Sequence, residues 1–184
     1  GDYVIPDGVE EFQALAFRGC SKLTSVTIPA TGCISGWPYF DKCDNLTAIN
    51  VHSNNMNYCV VDGVLYDSGL TELLKCPEGK MGAINIPASV NKIVENALRG
   101  CHRLTAINVD NENGTFESMD GVLFSKGLAV LRKFPGGRGG AYAIPAGTSW
   151  LEDFAFFGCT NLTSIVVPEF LWSIPAYAFA ECTN

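Results

Sequence analysis

The chain has 184 residues, 47% of them apolar, and carries nineteen acidic against twelve basic side chains for a formal net charge of −7. The basic residues are scattered singly, so the surface on average repels phosphate, which argues against a nucleic-acid partner and against charge-driven membrane docking. No run of 18 or more apolar residues is present, so no membrane insertion of this segment is expected, and no signal peptide opens the chain.

The first element, residues 5–27, starts at Ile5-Pro6 and contains the phrase Ala16-Phe17-Arg18-Gly19-Cys20-Ser21-Lys22-Leu23-Thr24. That phrase returns along the whole chain. Its cysteine recurs as Cys43, Cys101, Cys159 and Cys182, at intervals of 23, 58, 58 and 23 residues. Repetition at fixed periods marks a solenoid, in which each copy buries its core only by stacking on its neighbours.

In the first copy Leu23, Val26 and Ile28 give L-x-x-[IV]-x-[IV], the spacing of a leucine-rich-repeat strand with its branched residues turned inward. The columns continue as Leu46/Ile49/Val51, Leu104/Ile107/Val109 and Leu162/Ile165/Val167. Proline follows the strand at Pro29, Pro87, Pro145 and Pro168, where it ends the ladder by withholding an N–H. On the return path Ala16-Phe17, Ala97-Leu98, Ala155-Phe156 and Ala178-Phe179 predict one helical or 3₁₀ turn, the small residue allowing close approach and the large one filling the core.

The second copy, 28–50, departs from the pattern. Gly32 occupies the valine slot, Ser35 the isoleucine slot, and Trp37-Pro38-Tyr39 replaces the alanine turn, so a reshaped turn is expected there. An insert, 51–85, follows, then a regular copy at 86–108, a sister insert at 109–143, and copies at 144–166 and 167–184. The inserts share Asp-Gly-Val-Leu-(Tyr/Phe) at 62–66 and 120–124 and a Gly-Leu pair at 69–70 and 127–128, which reads as strand, glycine turn, strand. The second limbs, Leu70–Pro77 and Leu128–Pro135, end in proline like the rung strands and are expected to add further rungs to the same sheet. Tyr3-Val4-Ile5 reads as the back half of a rung strand, and the chain stops one residue before the next column leucine. With no polar cap at either end, the sequence reads as a slice of a longer array.

The expected fold is an α/β leucine-rich-repeat solenoid, a right-handed superhelix that is strand-rich, with short 3₁₀ or helical turns and hairpin-bearing inserts. It is read as a single array over 1–184. The phrase Ile-Pro-x-x-Val-x-x-Ile-x-x-x-Ala-Phe-x-Gly-Cys-x-x-Leu-Thr-x-Ile, at 5–26, 86–107 and 144–165, resembles the BspA-like class of leucine-rich repeats, and the Asp-Gly-Val-Leu inserts resemble the longer units of that class. The resemblance implies a secreted or surface-attached bacterial protein with no catalytic residues, some relatives of which bind host matrix proteins.

Five of the eight cysteines sit in one column. Column side chains on neighbouring rungs lie about 5 Å apart and point inward together, so buried free thiols are expected. Cys59 and Cys76 are replaced together by Glu117 and Phe134 in the sister insert, which leaves a bridge between them as the lesser alternative. No cofactor is expected. There is no C-x-x-C or H-x-x-x-H, and the two histidines, His52 and His102, fall in variable polar slots expected to be exposed turns. Asp110-Asn111-Glu112-Asn113-Gly114 lacks calcium-loop spacing and reads as a solvated turn. Pro135-Gly136-Gly137-Arg138-Gly139-Gly140 lacks the Lys-Ser/Thr of a phosphate cradle. Asn45-Leu46-Thr47, Asn113-Gly114-Thr115 and Asn161-Leu162-Thr163 match the glycosylation sequon, two of them merely because the repeat phrase contains it.

Surface recognition remains. The slots that face solvent on the sheet carry Thr27, Asn50, Asn108 and Val166, with Lys75 and Lys133 as candidates from the inserts. Trp37, Trp150 and Trp172 stand in variable, mostly polar slots, and Trp150 and Trp172, 22 residues apart, are expected on successive rungs. Exposed aromatics bury large area on binding at small entropic cost. The expected function is a non-catalytic adhesion module at the cell surface or outside the cell, taking a protein ligand such as an extracellular matrix or host surface protein. A carbohydrate-binding module that stacks sugars on these rings is the alternative.

Overall fold

A computed structural model describes residues 1–13, 15–36 and 39–183. The alternating branched residues of each phrase form short strands, since such side chains pack well on a pleated, half-buried surface. In chain order these are β1 (Asp2–Val4), β2 (Glu11–Gln13), β3 (Ser25–Ile28), β4 (Cys33–Ser35) and β5 (Ala48–Val51). The first insert supplies β6 (Tyr58–Val61), β7 (Val64–Asp67) and β8 (Glu72–Lys75), and β9 (Gly82–Ile86), β10 (Lys92–Ile93) and β11 (Leu104–Val109) follow. The second insert repeats the set as β12 (Phe116–Met119), β13 (Val122–Ser125) and β14 (Val130–Lys133), before β15 (Gly140–Ala143), β16 (Trp150–Leu151) and β17 (Leu162–Val166).

The chain forms two compact units, Gly1–Lys80 with Lys92–Gly100, and Met81–Asn91 with the residues from Cys101 onward. In the first, the leucine-column strands make a parallel sheet β1-β3-β5 in which Tyr3, Val26 and Ile49 stand in register. The return path makes a second parallel pair, β2-β4. In the second unit the leucine-column strands pair as β9-β11 and β15-β17, again with a 23-residue offset at Ile84↔Ile107 and Tyr142↔Ile165.

Each insert forms the expected hairpin across its Gly-Leu pair, β7 with β8 and β13 with β14, but its second limb does not extend the leucine-column sheet, and a further hairpin that the sequence reading did not include precedes it. Asp62-Gly63 and Asp120-Gly121 have positive φ at both residues, the two-residue turn that matches strand twist, and they join β6 to β7 and β12 to β13. β8 then pairs parallel with β10, and β14 with β16, both on the return path. The leucine-column edge is taken instead by the Asp-Gly turn: Ile49 N donates to Gly63 O at 3.0 Å, and Ile107 N to Gly121 O at 2.8 Å. A Cβ on Gly121 would lie 2.8 Å from that of Ala106, so glycine is required for this approach.

No helix occurs among the described residues, which corrects the α/β reading and the predicted helical or 3₁₀ turns. The reason is conformational. The residue before each column alanine lies in the left-handed region, at Leu15, Asn96, Phe154 and Tyr177, and so does the column glycine at Gly19, Gly100 and Gly158. Left-handed residues interrupt an α-helical run. What remains is a chain of separate turns, such as Phe157 N to Phe154 O at 3.1 Å and Cys159 N to Phe156 O at 3.2 Å. Copy two also differs from its expected register. Phe12 pairs with Ile34, not Ser35, and Ile34 is buried, so the apolar slot is filled after a one-residue slip.

The core of the second unit is built on Phe124, Leu131, Phe134, Leu151, Phe156 and Cys159, all fully buried. Stacked rings run through it, Phe134 to Phe156 at 5.2 Å and Phe156 to Phe179 at 4.9 Å. In the first unit Phe12, Phe17 and Phe40 cluster, with Phe17 and Phe40 at 5.4 Å. None of the eight cysteines is in a disulfide, Cys59 and Cys76 included. Cys43 Sγ donates to Phe17 O at 3.0 Å, and Cys182 Sγ to Phe156 O at 3.1 Å, so in these two copies the column thiol ties the copy to the turn before it. Burial pushes the Cys43 thiol up to about 11 and that of Cys159 up to about 12. Because the thiolate is the reactive form, iodoacetamide applied to the native protein should label exposed Cys33 first. Cys43, Cys76, Cys101 and Cys159 should react only on unfolding; peptide mass mapping reads the order.

Candidate interaction surface

Leucine-column strands alternate inward and outward residues, and the outward slots carry Thr27, Asn50 and Asn108, with the apolar Val166 in the last of them. Asn50 and Val166 are exposed, Thr27 and Asn108 half-buried. Asn108 Nδ2 donates to Asn85 Oδ1 at 3.1 Å across this face.

Lys75 and Lys133 do not face solvent, which corrects the sequence expectation. Each is about 95% buried or more, at 3% and 5% exposure. Lys75 Nζ reaches Glu78 Oε1 at 3.0 Å, and Lys133 Nζ donates to Phe154 O at 2.8 Å and to Phe157 O at 3.5 Å. Burial pushes the Glu78 carboxyl up, against the opposing pull of Lys75. These lysines bind carbonyls and a carboxylate inside the stack, and their proline-terminated limbs run on the return path, where outward slots of the leucine-column sheet become inward ones.

Trp150 and Trp172 lie on successive rungs. Trp150 is 47% exposed and Trp172 84%. Trp150 pairs with Val130, and its N–H donates to Ala129 O; one rung on, Trp172 N donates to Ser149 O at 3.1 Å. The same bonding pattern therefore sets Trp172 beside Trp150. Two residues beyond Trp150, just past the end of β16, Glu152 accepts both hydrogen bonds of Arg132 Nη1, at 2.9 and 3.1 Å, and the Arg132 guanidinium lies 5.1 Å from the Phe116 ring centre. Burial pushes the Glu152 carboxyl up, with Arg132 pulling it back. Trp37 lies outside the described residues.

Sequence reasoning missed two structural asparagines. Asn55 and Asn113 are buried; Asn113 Nδ2 donates to Pro87 O and Val90 O, while its Oδ1 accepts from Thr115 N and Phe116 N. The turn read as solvated is thus pinned by a buried amide, and the Asn113 sequon is closed to modification in the folded state. Their 58-residue identity in both inserts was the signal. His102, expected to be exposed, is half-buried, with its ring 5.8 Å from that of Phe157. No group of His, Cys, Asp or Glu suited to hold a metal ion occurs among the described residues.

Compared with curated proteins, the chain matches none by sequence. Among solved structures it is similar to the pneumococcal vaccine antigen PcpA, at 21% identity and a TM-score of 0.64, over 98% of this chain and 48% of that one. It is also similar to a leucine-rich repeat protein from Eubacterium ventriosum, at 22% identity and a TM-score of 0.59, over 89% of this chain and 41% of that one. The chain thus spans less than half the length of either. Both share its fold, a strand-rich solenoid of stacked repeats. The family model for the BspA type leucine-rich repeat region matches residues 2–61, 76–127 and 141–184 in six copies, and with its columns observed as stacked rungs the chain belongs to that family.

Proposed function

We propose that this chain is a non-catalytic protein-interaction module of a bacterial protein displayed at the cell surface or secreted, and that Trp150 and Trp172 are its principal contact. The supporting observation is the pair of exposed rings on successive rungs, beside the Arg132–Glu152 pair. Tryptophan and arginine are the side chains most enriched at binding hot spots. The ligand class we favour is an extracellular matrix or host surface protein. The same rings, flanked by hydrogen-bonding groups, would suit sugar rings, and this is the second reading. The function needs no cofactor, and among the described residues no helix is long and apolar enough to cross a membrane.

The test is capture from a matrix-protein panel and a glycan array run in parallel. Trp150→Ala and Trp172→Ala are each expected to weaken capture about 10-fold or more, with an unchanged melting temperature. Binding that both variants retain in full excludes the tryptophan face, and capture on glycans alone replaces the protein reading with the carbohydrate one.

A further inference from the structure

The outward face of β14 and β16 is a block of four side chains. Val130 stands opposite Trp150 in the register, and two residues further along each chain Arg132 meets Glu152. The sister insert fills the same block differently. Glu72 and Lys92, 58 residues before Val130 and Trp150, form an ion pair at 2.9 Å. Leu74 and Val94, 58 residues before Arg132 and Glu152, are apolar and only 8% exposed each. An apolar pair therefore suffices for the scaffold at this step, and a partly buried ion pair in its place is no gain in stability.

The Arg132 guanidinium is also only partly used. Both of its bonds to Glu152 leave from Nη1, and the Phe116 ring supports it at 5.1 Å. Its Nε is buried with no hydrogen-bond partner, and no group among the described residues bonds Nη2. Nε–H and one N–H of Nη2 lie parallel along one edge of a guanidinium, the fork that takes a carboxylate through two bonds. A buried donor without an acceptor is an unmet cost, which an acceptor brought by a ligand removes. The Arg132 side chain keeps 28% of its surface open, and Trp150 is its diagonal neighbour in the block. The net charge of −7 repels a polyanion, so a single carboxylate set among apolar residues fits this face.

We propose that Arg132 takes an aspartate or glutamate side chain of a protein ligand on its free Nε/Nη2 edge, while the residues flanking that acid pack on Trp150 and Val130. This rests on the reading of the tryptophan face as a protein contact and adds the ligand group that the face reads. Glu152 is a positioning residue: by holding Nη1 it fixes the guanidinium plane and leaves the opposite edge open.

A peptide array tests this, with every acidic peptide paired with its amide twin, Asp with Asn and Glu with Gln. The wild-type chain is expected to favour acidic peptides with an aromatic or aliphatic neighbour about 10-fold over their twins, the size of one charge-assisted pair. Arg132→Lys keeps the charge and loses the fork, so the preference should fall to about 2-fold or less with an unchanged melting temperature. Arg132→Leu combined with Glu152→Val copies the Leu74/Val94 pair, which the scaffold already accepts, and should abolish the preference. Trp150→Ala should weaken capture of acidic and amide twins alike. Equal capture of the twins by the wild type, no capture of any peptide, or a preference that the double variant keeps overturns the proposal. The two readings fail separately. Capture lost in Trp150→Ala without any acid preference in the wild type removes the Arg132 role and leaves the tryptophan contact; an acid preference and affinity that Trp150→Ala leaves intact does the reverse.

Discussion

Replacing Phe156 by alanine is expected to lower unfolding stability by about 3–5 kcal/mol, the range for removing a buried phenylalanine. The ring is fully buried and lies between Phe134 and Phe179, so its loss opens a void that neither neighbour can close without leaving its own stack. In a solenoid each copy rests on adjacent copies, so the damage should be local. Hydrogen exchange is expected to accelerate first over β15 to β17, with β1 to β5 little changed. Phe179→Ala, at the half-buried end of the same stack, should cost clearly less in urea denaturation. Equal losses for the two would mean that the ring ladder does not carry the core of this unit.

Asn113→Ala is expected to cost roughly 2–4 kcal/mol, because it leaves four backbone groups without the partner they have now and each buried unsatisfied group costs about 1–3 kcal/mol before relaxation. The distances, 2.8 to 2.9 Å for all four bonds, leave no slack to be recovered. Asn113→Asp separates donor from acceptor function. Its carboxylate still accepts from Thr115 N and Phe116 N but faces the carbonyls of Pro87 and Val90 with a second oxygen. Burial against acceptors raises that carboxyl's pKa in the folded state. The aspartate variant should therefore gain stability as pH falls, since protonation restores one donor, whereas the alanine variant should follow the wild-type pH profile. Thermal melts from pH 7 to pH 4 decide it; a flat difference between the two variants would refute the donor role.

Much of the fold was legible in the sequence because an internal repeat supplies its own alignment. The leucine columns, the proline stops, the inward thiols and the hairpins across the Gly-Leu pairs all follow from local steric preference repeated at a fixed period. The failures share a cause. Lys75 and Lys133 looked like outward polar slots, yet burial depends on which sheet a strand joins, and β8 and β14 join the return path. Ile34 took the place assigned to Ser35 because a stacked core accepts a one-residue slip sooner than a polar side chain in an apolar slot. The helical turn failed because left-handed backbone at residues such as Phe154 and Tyr177 has no strong signature in a non-glycine side chain.

For the candidate surface the sequence identified the tryptophans through their departure from the repeat, since residues the scaffold does not require stand out against those it does. The exposure of Trp150 and Trp172 and the Arg132–Glu152 pair near Trp150 required the structure. By itself, the sequence determined that this protein is a stack of repeats with apolar columns inside, because a fixed period and side-chain polarity are properties of the chain alone. Only the tertiary structure decided which strands pair, which lysines are buried and which aromatic faces stay open, because hydrogen-bond register and burial belong to a residue's neighbours in space.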